Sequence, residues 1–360
     1  MTADPDPAFW RGRRVLLTGH TGFKGAWLSL WLTELGADVT GFALAPDTEP
    51  SLYELAGVDR LVRSEIGDVR DAEAVEAAMS RARPDVLFHL AAQSLVRRSY
   101  ADPLGTVATN VVGTAHVLDA ARRAPGLLAA VVVTSDKCYE NRAGGPPYRE
   151  DEPMGGHDPY SASKGCAELL TTAWRRSFFG AGGASAGVAS VRAGNVIGGG
   201  DWAADRLVPD CVRAFETGRP VPIRNPAAVR PWQHVLEPLA GYLRLAERLV
   251  EEPTTYAEAW NFGPSVDDAR PVSWLVDRLT TFWGEGARWE RDGGEHQHEA
   301  GVLEVDASKA RSRLGWTPRL GLEDGLRWTV EWYRRRHAGE DAAALTLEQL
   351  SSFARLESSA

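Results

Sequence analysis

The chain has 360 residues, 44% of them apolar and 25% charged, an ordinary globular mixture that excludes disorder as its main state. No apolar run reaches the ~18 residues a membrane span needs, and a net charge of −9 argues against binding a nucleic-acid backbone. Three cysteines without a CxxC pair suit a reducing cytosol, and the start of the chain has no apolar stretch that would read as a secretory signal.

In chain order, 13–18 (RRVLLT) reads as a strand, GHTGFKG as a glycine turn, and 26–36 as an apolar helix stopped by Gly36. A second strand covers 38–44. A helix is predicted over 71–83, a strand over 85–92 and a helix over 110–123. The near-continuous apolar run 129–134 suits a strand buried on both faces. A helix over 160–179 and a strand over 186–192 complete this half. Strand and helix alternate throughout, the pattern of a parallel, doubly wound α/β sheet. The second half is broken by glycines and prolines. Helices are expected over 237–250, 272–283 and 321–336, with a strand over 259–262. The tail, 338–360, reads as weakly helical with a fraying end. The expected organisation is a Rossmann domain over 13–193 plus about 232–263. A smaller substrate lobe takes 194–231 and 264–335, and 336–360 forms a helical tail.

Gly19, Gly22 and Gly25 fall between a strand and a helix. The first permits a tight turn, the second lets backbone approach a pyrophosphate, and the third lets helix and strand pack closely. An acid near the end of strand two would hold an adenosine ribose. Here the strand ends Phe42-Ala43-Leu44-Ala45, with no acid before Asp47 and no arginine nearby, so this position does not choose between NAD and NADP. Asp68 fits an adenine contact or a turn aspartate equally well.

Only four of the 40 basic residues are lysine: Lys24, Lys137, Lys164 and Lys309. Lysine can give up its proton where arginine cannot, so surviving lysines in an arginine-biased chain mark positions of interest. Tyr160 and Lys164 form a YxxxK pair on one helix face. An ammonium there favours the phenolate of a tyrosine whose ordinary pKa is ~10. Thr134-Ser135-Asp136-Lys137 follows the most buried strand, where strand ends face a ligand crevice. A hydroxyl, a carboxyl and an amine in succession make an acid–base set; a helix cap followed by solvated charge is the plainer alternative.

These stretches, together with TSDKCYEN, YSASK, NVIGGGDWAADRLVPD, RPWQHVLEPLAGYL, WNFGP and EVDASKARSRLGW, resemble the CDP-glucose branch of the sugar-nucleotide 4,6-dehydratases. These belong to the extended short-chain dehydrogenase/reductase family. The resemblance runs from about Arg13 to Tyr333. The Ser-Asp-Lys run is its most specific feature, since sister dehydratases usually carry Thr-Asp-Glu there. It implies an NAD-dependent lyase, a redox-neutral elimination acting on CDP-glucose in the cytoplasm, and a homodimer formed through helices of the Rossmann half.

Carried onto this chain, the resemblance makes Tyr160 the base at the C4 hydroxyl, with Ser135 bonded to that oxygen. Lys164 lowers the tyrosine pKa and holds the nicotinamide ribose. Lys137 removes the C5 proton and Asp136 protonates the departing C6 hydroxyl. Lys137 must then be neutral, so its pKa has to fall from ~10.4. Asp136 must be protonated near neutrality, through desolvation or a carboxylate-poor pocket. Cofactor contacts are expected from Gly19, His20, Thr21, Gly22, Phe23, Lys24, Gly25, Asp68, Val69, Leu90, Ala91, Ala92, Asn110, Thr134, Tyr160 and Lys164. Substrate contacts are expected from Gln93, Ser94, Ser135, Asn195, Arg206, Arg219 and Arg230. Arginine's fork suits a diphosphate, although any one arginine is as readily a surface charge.

No metal is expected: His296, His298 and Glu299 read as a solvated loop, and His234 as structural. His20 replaces a small residue of many relatives. With the missing ribose acid, it predicts a loosely held cofactor. The rival readings are an epimerase, in which Asp136 and Lys137 would be idle, a dehydratase of another nucleotide hexose, and a non-catalytic sensor on the same scaffold.

Overall fold

The computed structural model describes residues 4–142, 145–180, 183–265, 268–294 and 303–356. Six strands of the first half are β1 (Arg14–Thr18), β2 (Asp38–Ala43), β3 (Arg63–Ile66), β4 (Val86–His89), β5 (Ala129–Val133) and β6 (Gly187–Ala193). Beyond them come β7 (Asn195–Ile197), β8 (Val221–Ile223), β9 (Val229–His234), β10 (Ala259–Phe262), β11 (Ala269–Pro271) and β12 (Trp289–Arg291). The main sheet has seven strands in the order β10-β6-β5-β4-β1-β2-β3, and every pairing is parallel. Strand order reverses between β1 and β4, and in open α/β sheets ligands bind outside the strand ends at that switch point.

The apolar runs follow from burial on both faces. Leu17, Phe88, Val131 and Val133 face one core, while Leu16, Leu87, Ala130 and Val132 face the other. The second core is covered by α2 (Ala72–Ala82) and α5 (Gly113–Arg123). The first is covered by α1 (Phe23–Glu34) and α8 (Leu236–Glu251). Between them in sequence lie α3 (Val96–Ala101), α4 (Pro103–Val107), α6 (Pro159–Phe178) and α7 (Leu207–Glu216). The helix predicted to begin at 110 begins earlier: α4 runs through a π-helical turn at Ala108–Val112 straight into α5. Two small sheets, β11-β9-β7 and β12-β8, stand over the strand ends, and α9 (Val272–Trp283) and α10 (Leu322–His337) pack behind them.

The weakly helical tail is a docked helix, α11 (Ala342–Ala354), capped by Asp341 through the Ala344 amide. Leu345, Leu350 and Phe353 are buried, Phe353 meets Trp31 of α1 edge-on, and Trp332 Nε1 donates to Thr346 Oγ1 at 3.1 Å. This explains why α1 is apolar nearly all round: the sheet covers one side and α11 the other. At the other end of the chain, Trp10 is fully buried and donates to Glu247 Oε1 at 2.8 Å. Among the described residues no helix is long and apolar enough to cross a membrane. Phe353→Ala is expected to lower unfolding stability by about 3–5 kcal/mol in denaturant titration; a loss under ~1 kcal/mol would mean that α11 rests loosely on α1.

Candidate active site

A cleft of about 860 Å3 opens at the carboxyl edge of the sheet, between the strand ends and the small sheets. Its floor is the turn from β1 into α1. Gly19 has φ +80°, and a Cβ there would come within 2.7 Å of the Ala91 amide nitrogen. A Cβ on Gly25 would lie 2.0 Å from the Gly19 carbonyl oxygen, so only glycine lets α1 start this close to β1. Gly22 caps α1 without a side-chain hydrogen bond, which leaves amide donors at the helix start directed at the cleft. Thr21, Phe23, Asp68, Val69, Leu90, Ala91 and Ala92 line the same space. This cradle fits the pyrophosphate and ribose of a dinucleotide.

The wall is the end of β5. Ser135 caps a 3-10 turn, Asp136–Cys138, and its Oγ accepts the Lys137 amide at 3.2 Å. Ser135 Oγ donates to Asp136 Oδ1 at 3.0 Å. Asp136 is 3% exposed, and its Oδ2 has no hydrogen-bond partner. Burial raises its pKa, against the charges of Lys137, Arg230 and Lys24. The expected protonated acid is thus favoured by desolvation and not by scarcity of carboxylates, because seven aspartates line the cleft. Gly194, between β6 and β7, leaves room for Asp136: a Cβ would sit 3.2 Å from Oδ2 and 2.5 Å from Pro231.

Tyr160 and Lys164 rise from α6, which begins at an Asp158 cap with Pro159 in its first turn. Both side chains are buried and line the cleft. Burial pushes the Tyr160 phenol up to about 12, while its hydrogen bond with Ser135 and the Arg206 charge pull it back. Lys164, expected to lower that value, stands one turn further along the helix. Lys164 Nζ donates to the Val133 carbonyl at 3.2 Å, and burial brings its pKa down to about 8. Lys24, expected only as a cofactor contact, lies at the same centre. Burial and the charges of Arg206 and Lys164 lower it to about 7. Three of the chain's four lysines therefore line one cleft; Lys309 instead donates to the Ala259 carbonyl over the Trp260 ring.

The cleft lining carries nine lysine or arginine side chains against seven aspartates, in a chain whose net charge is −9. That local excess suits an anionic ligand. Asn195, Arg206 and Arg230 line it as expected, and Arg206 also reaches across to Ser94 Oγ at 2.8 Å and pairs with Asp201 at 2.9 Å. Arg97 pairs with Asp205 across the same opening at 2.9 Å.

Three of the expected residues lie outside the lining, and a fourth, Gln93, is held by its own neighbours. His20 does not reach the cleft: its ring fills the space above Gly41, is fully buried, and bonds Ser64 Oγ at 2.7 Å. One of the two grounds for a loosely held cofactor falls with it. Asn110 lies behind the lining, where it clasps both backbone groups of Gln93 and donates to Ser163 Oγ. Gln93 lines the cleft, but its amide is taken up by Thr106 and Leu95. Arg219 is exposed and outside the lining.

The sequence also left the end of β2 without an arginine. Folding brings Arg98 to Asp47 at 2.8 Å, and Arg70 pairs with Asp68. Arg224 and Arg97 line the cleft without having been expected there. Arg97 sits in the short helix α3 and Arg224 just past β8, neither within a motif, and only the bend of the chain assembles them. His296, His298 and Glu299 lie outside the described residues; among the described residues no group of three or more acidic, histidine or cysteine side chains could hold a metal. His234 is buried between the Trp27 and Trp328 rings.

The family described as GDP-mannose 4,6 dehydratase matches residues 16–329. A curated CDP-glucose 4,6-dehydratase from Salmonella typhimurium is 52% identical over 351 residues, covering 97% of this chain and 98% of the relative. A dTDP-glucose 4,6-dehydratase from Streptomyces griseus is 30% identical, covering 90% and 95%. Among solved structures, the dTDP-glucose 4,6-dehydratase DesIV of Streptomyces venezuelae, with NAD and TYD bound, superposes with a TM-score of 0.73 at 26% identity, over 92% of this chain and 99% of that one. MoeE5 in complex with UDP-glucose and NAD gives 0.74 at 26%, over 90% and 99%. The chain belongs to the GDP-mannose 4,6 dehydratase family, within the extended short-chain dehydrogenase/reductases.

Proposed function

We propose that this family member is an NAD-dependent hydro-lyase that converts CDP-D-glucose to CDP-4-keto-6-deoxy-D-glucose. The observation that carries the reading is the turn at the end of β5. It puts a buried carboxyl oxygen without a partner, and a lysine beside it, in the same cleft as Tyr160, Lys164 and the glycine cradle. Oxidation alone needs only the tyrosine and its lysine. An acid and a base next to them suit the loss of water.

The cofactor would lie on Gly19, Gly22 and Gly25, with Asp68, Val69 and Leu90 to Ala92 alongside; it supplies a hydride acceptor at C4 and a hydride donor at C6. Tyr160 Oη takes the proton of the C4 hydroxyl, and Ser135 Oγ bonds the same oxygen. A bound oxidised nicotinamide would supply positive charge that favours ionisation of the Tyr160 phenol against the burial that holds it up. With C4 a ketone, the C5 proton becomes acidic and Lys137 Nζ removes it. Asp136 Oδ2 gives its proton to the departing C6 hydroxyl, which leaves as water. Arg206, Arg230 and Asn195 hold the diphosphate.

In this reading the dinucleotide-binding domain is 13–193 with 232–263, the substrate lobe is 194–231 with 264–335, and 336–360 is the helical tail. The protein works in the cytoplasm as a homodimer. Leu104, Val107 and Val112 of the α4–α5 run and Leu169 and Phe178 of α6 are 40–81% exposed, an apolar face that a second copy would cover. Leu169→Glu is expected to shift the protein to monomer in sedimentation velocity; an unchanged profile would place the contact elsewhere.

The function is tested by incubating the protein and NAD separately with CDP-, dTDP-, UDP- and GDP-hexoses and following mass loss. Loss of one water from CDP-glucose is expected, and inversion without mass change would point to an epimerase. Lys137→Arg should keep the melting temperature and lose at least about a hundredfold in turnover. Turnover near the wild-type rate would remove Lys137 as the base.

A further inference from the structure

Behind the reacting side chains lies a buried carboxylate that no step above uses. Glu168 stands on α6 four residues beyond Lys164, on the same helix face. It is 2% exposed. Its Oε1 accepts Thr134 Oγ1 at 2.5 Å, and its Oε2 accepts Ser190 Oγ at 2.7 Å and Arg192 Nη2 at 2.8 Å. Lys164 Nζ donates to the Val133 carbonyl. Two residues of α6 thus grip two consecutive residues of the β5 end, directly before Ser135, Asp136 and Lys137.

Arg192, on β6 and equally buried, takes hold on the other side. Its Nη1 donates to Tyr139 Oη at 2.7 Å and to the Glu150 carbonyl at 3.1 Å, and Tyr139 Oη donates to Asn261 Oδ1 at 2.7 Å. Thr134 precedes the reacting turn and Tyr139 follows it. The ion pair therefore spans residues 135–138, with its carboxylate on one flank and its guanidinium on the other. A buried ion pair is a weak source of stability but a strict setter of geometry, because each charge tolerates few arrangements of its partner.

We infer that the Glu168–Arg192 ion pair is the positioning device of this active site: it fixes the 135–138 turn from both flanks and holds the Lys164 ammonium in place beneath it. The inference rests on the reading of Ser135, Asp136, Lys137, Tyr160 and Lys164 as the reacting groups.

The electrostatics run the same way. Burial would raise the Glu168 carboxyl, but the Arg192 charge and three hydrogen bonds hold it below the usual range, so it stays ionised. Around Lys164 stand Cys138 from the turn, His89 of β4, Lys24 of α1, Tyr160 on its own helix, and Glu168. Burial lowers Lys164, while Glu168 opposes the fall. Lys164 must be charged to support an ionised Tyr160, and that charge is lost as pH rises through its pKa of about 8. Removing the Glu168 charge moves the loss to lower pH.

The test is Glu168→Gln in the full chain, assayed by water loss from CDP-glucose with NAD from pH 6 to 10. The expected result is an unchanged KM, a kcat at least about tenfold lower, and an alkaline limb displaced downward by about one pH unit. Glu168→Gln/Arg192→Met leaves no buried charge unpaired, and keeps the question decidable should the single variant fail to fold; the same kcat loss and shift are expected of it. A folded variant with wild-type kcat and an unmoved alkaline limb overturns the inference and makes the pair purely structural. Wild-type protein that releases no water overturns the proposed function, and the inference with it.

Discussion

β5 is buried on both faces, yet it ends in a hydroxyl, a carboxyl and an amine that must stay ready to react. Burial of polar groups is costly unless each finds a partner. Along this strand end nearly every one does: Thr134 on Glu168, Ser135 on Asp136, Lys164 on the Val133 carbonyl. Among the described, fully buried side-chain atoms of this turn the exception is Asp136 Oδ2. A desolvated carboxyl oxygen with nothing to bond holds its proton, and the surrounding elements are arranged to leave it so. Gly194 clears space for it, and β7 and β9 bring Arg230 near enough to act on it without removing the effect of burial.

Desolvation is the leading influence on four titratable groups at the centre, each time in the sense that opposes charge. It raises Asp136 and Tyr160 and lowers Lys24 and Lys164. Asp136 and the two lysines are thereby drawn toward neutral pH from opposite sides, while the Tyr160 phenol moves further above it. An anionic ligand enters a cleft where cations outnumber carboxylates, and its own charge then adds to those already acting on the lysines.

Much of this was legible in the chain. The glycine turn, the YxxxK pair and the alternation of strands with helices are local patterns, and local patterns survive folding: 259–262 and 272–283 fall where periodicity placed them. What could not be read was assembly across distance. The ring of His20 turns inward because Gly41, on the neighbouring strand, leaves it a space. Asn110 holds the Gln93 loop because a π-helical turn aims it there. The tail's docking could not be read either: α11 is built of good helix formers, but its place is set by packing on α1 and α10. Glu168 attracted no attention for a related reason: it lies one turn past a motif, and its partners come from β5 and β6.

The central claim is that the 135–137 turn adds an elimination to a tyrosine-driven oxidation, with Lys137 and Asp136 in separate roles. It is tested most directly with Asp136→Asn, incubated with CDP-glucose and NAD in deuterium oxide and followed by mass spectrometry. The account predicts that the nucleotide sugar gains one deuterium at C5 while water loss falls at least about a hundredfold, because the base still works and the acid does not. Water loss at the wild-type rate would contradict the account.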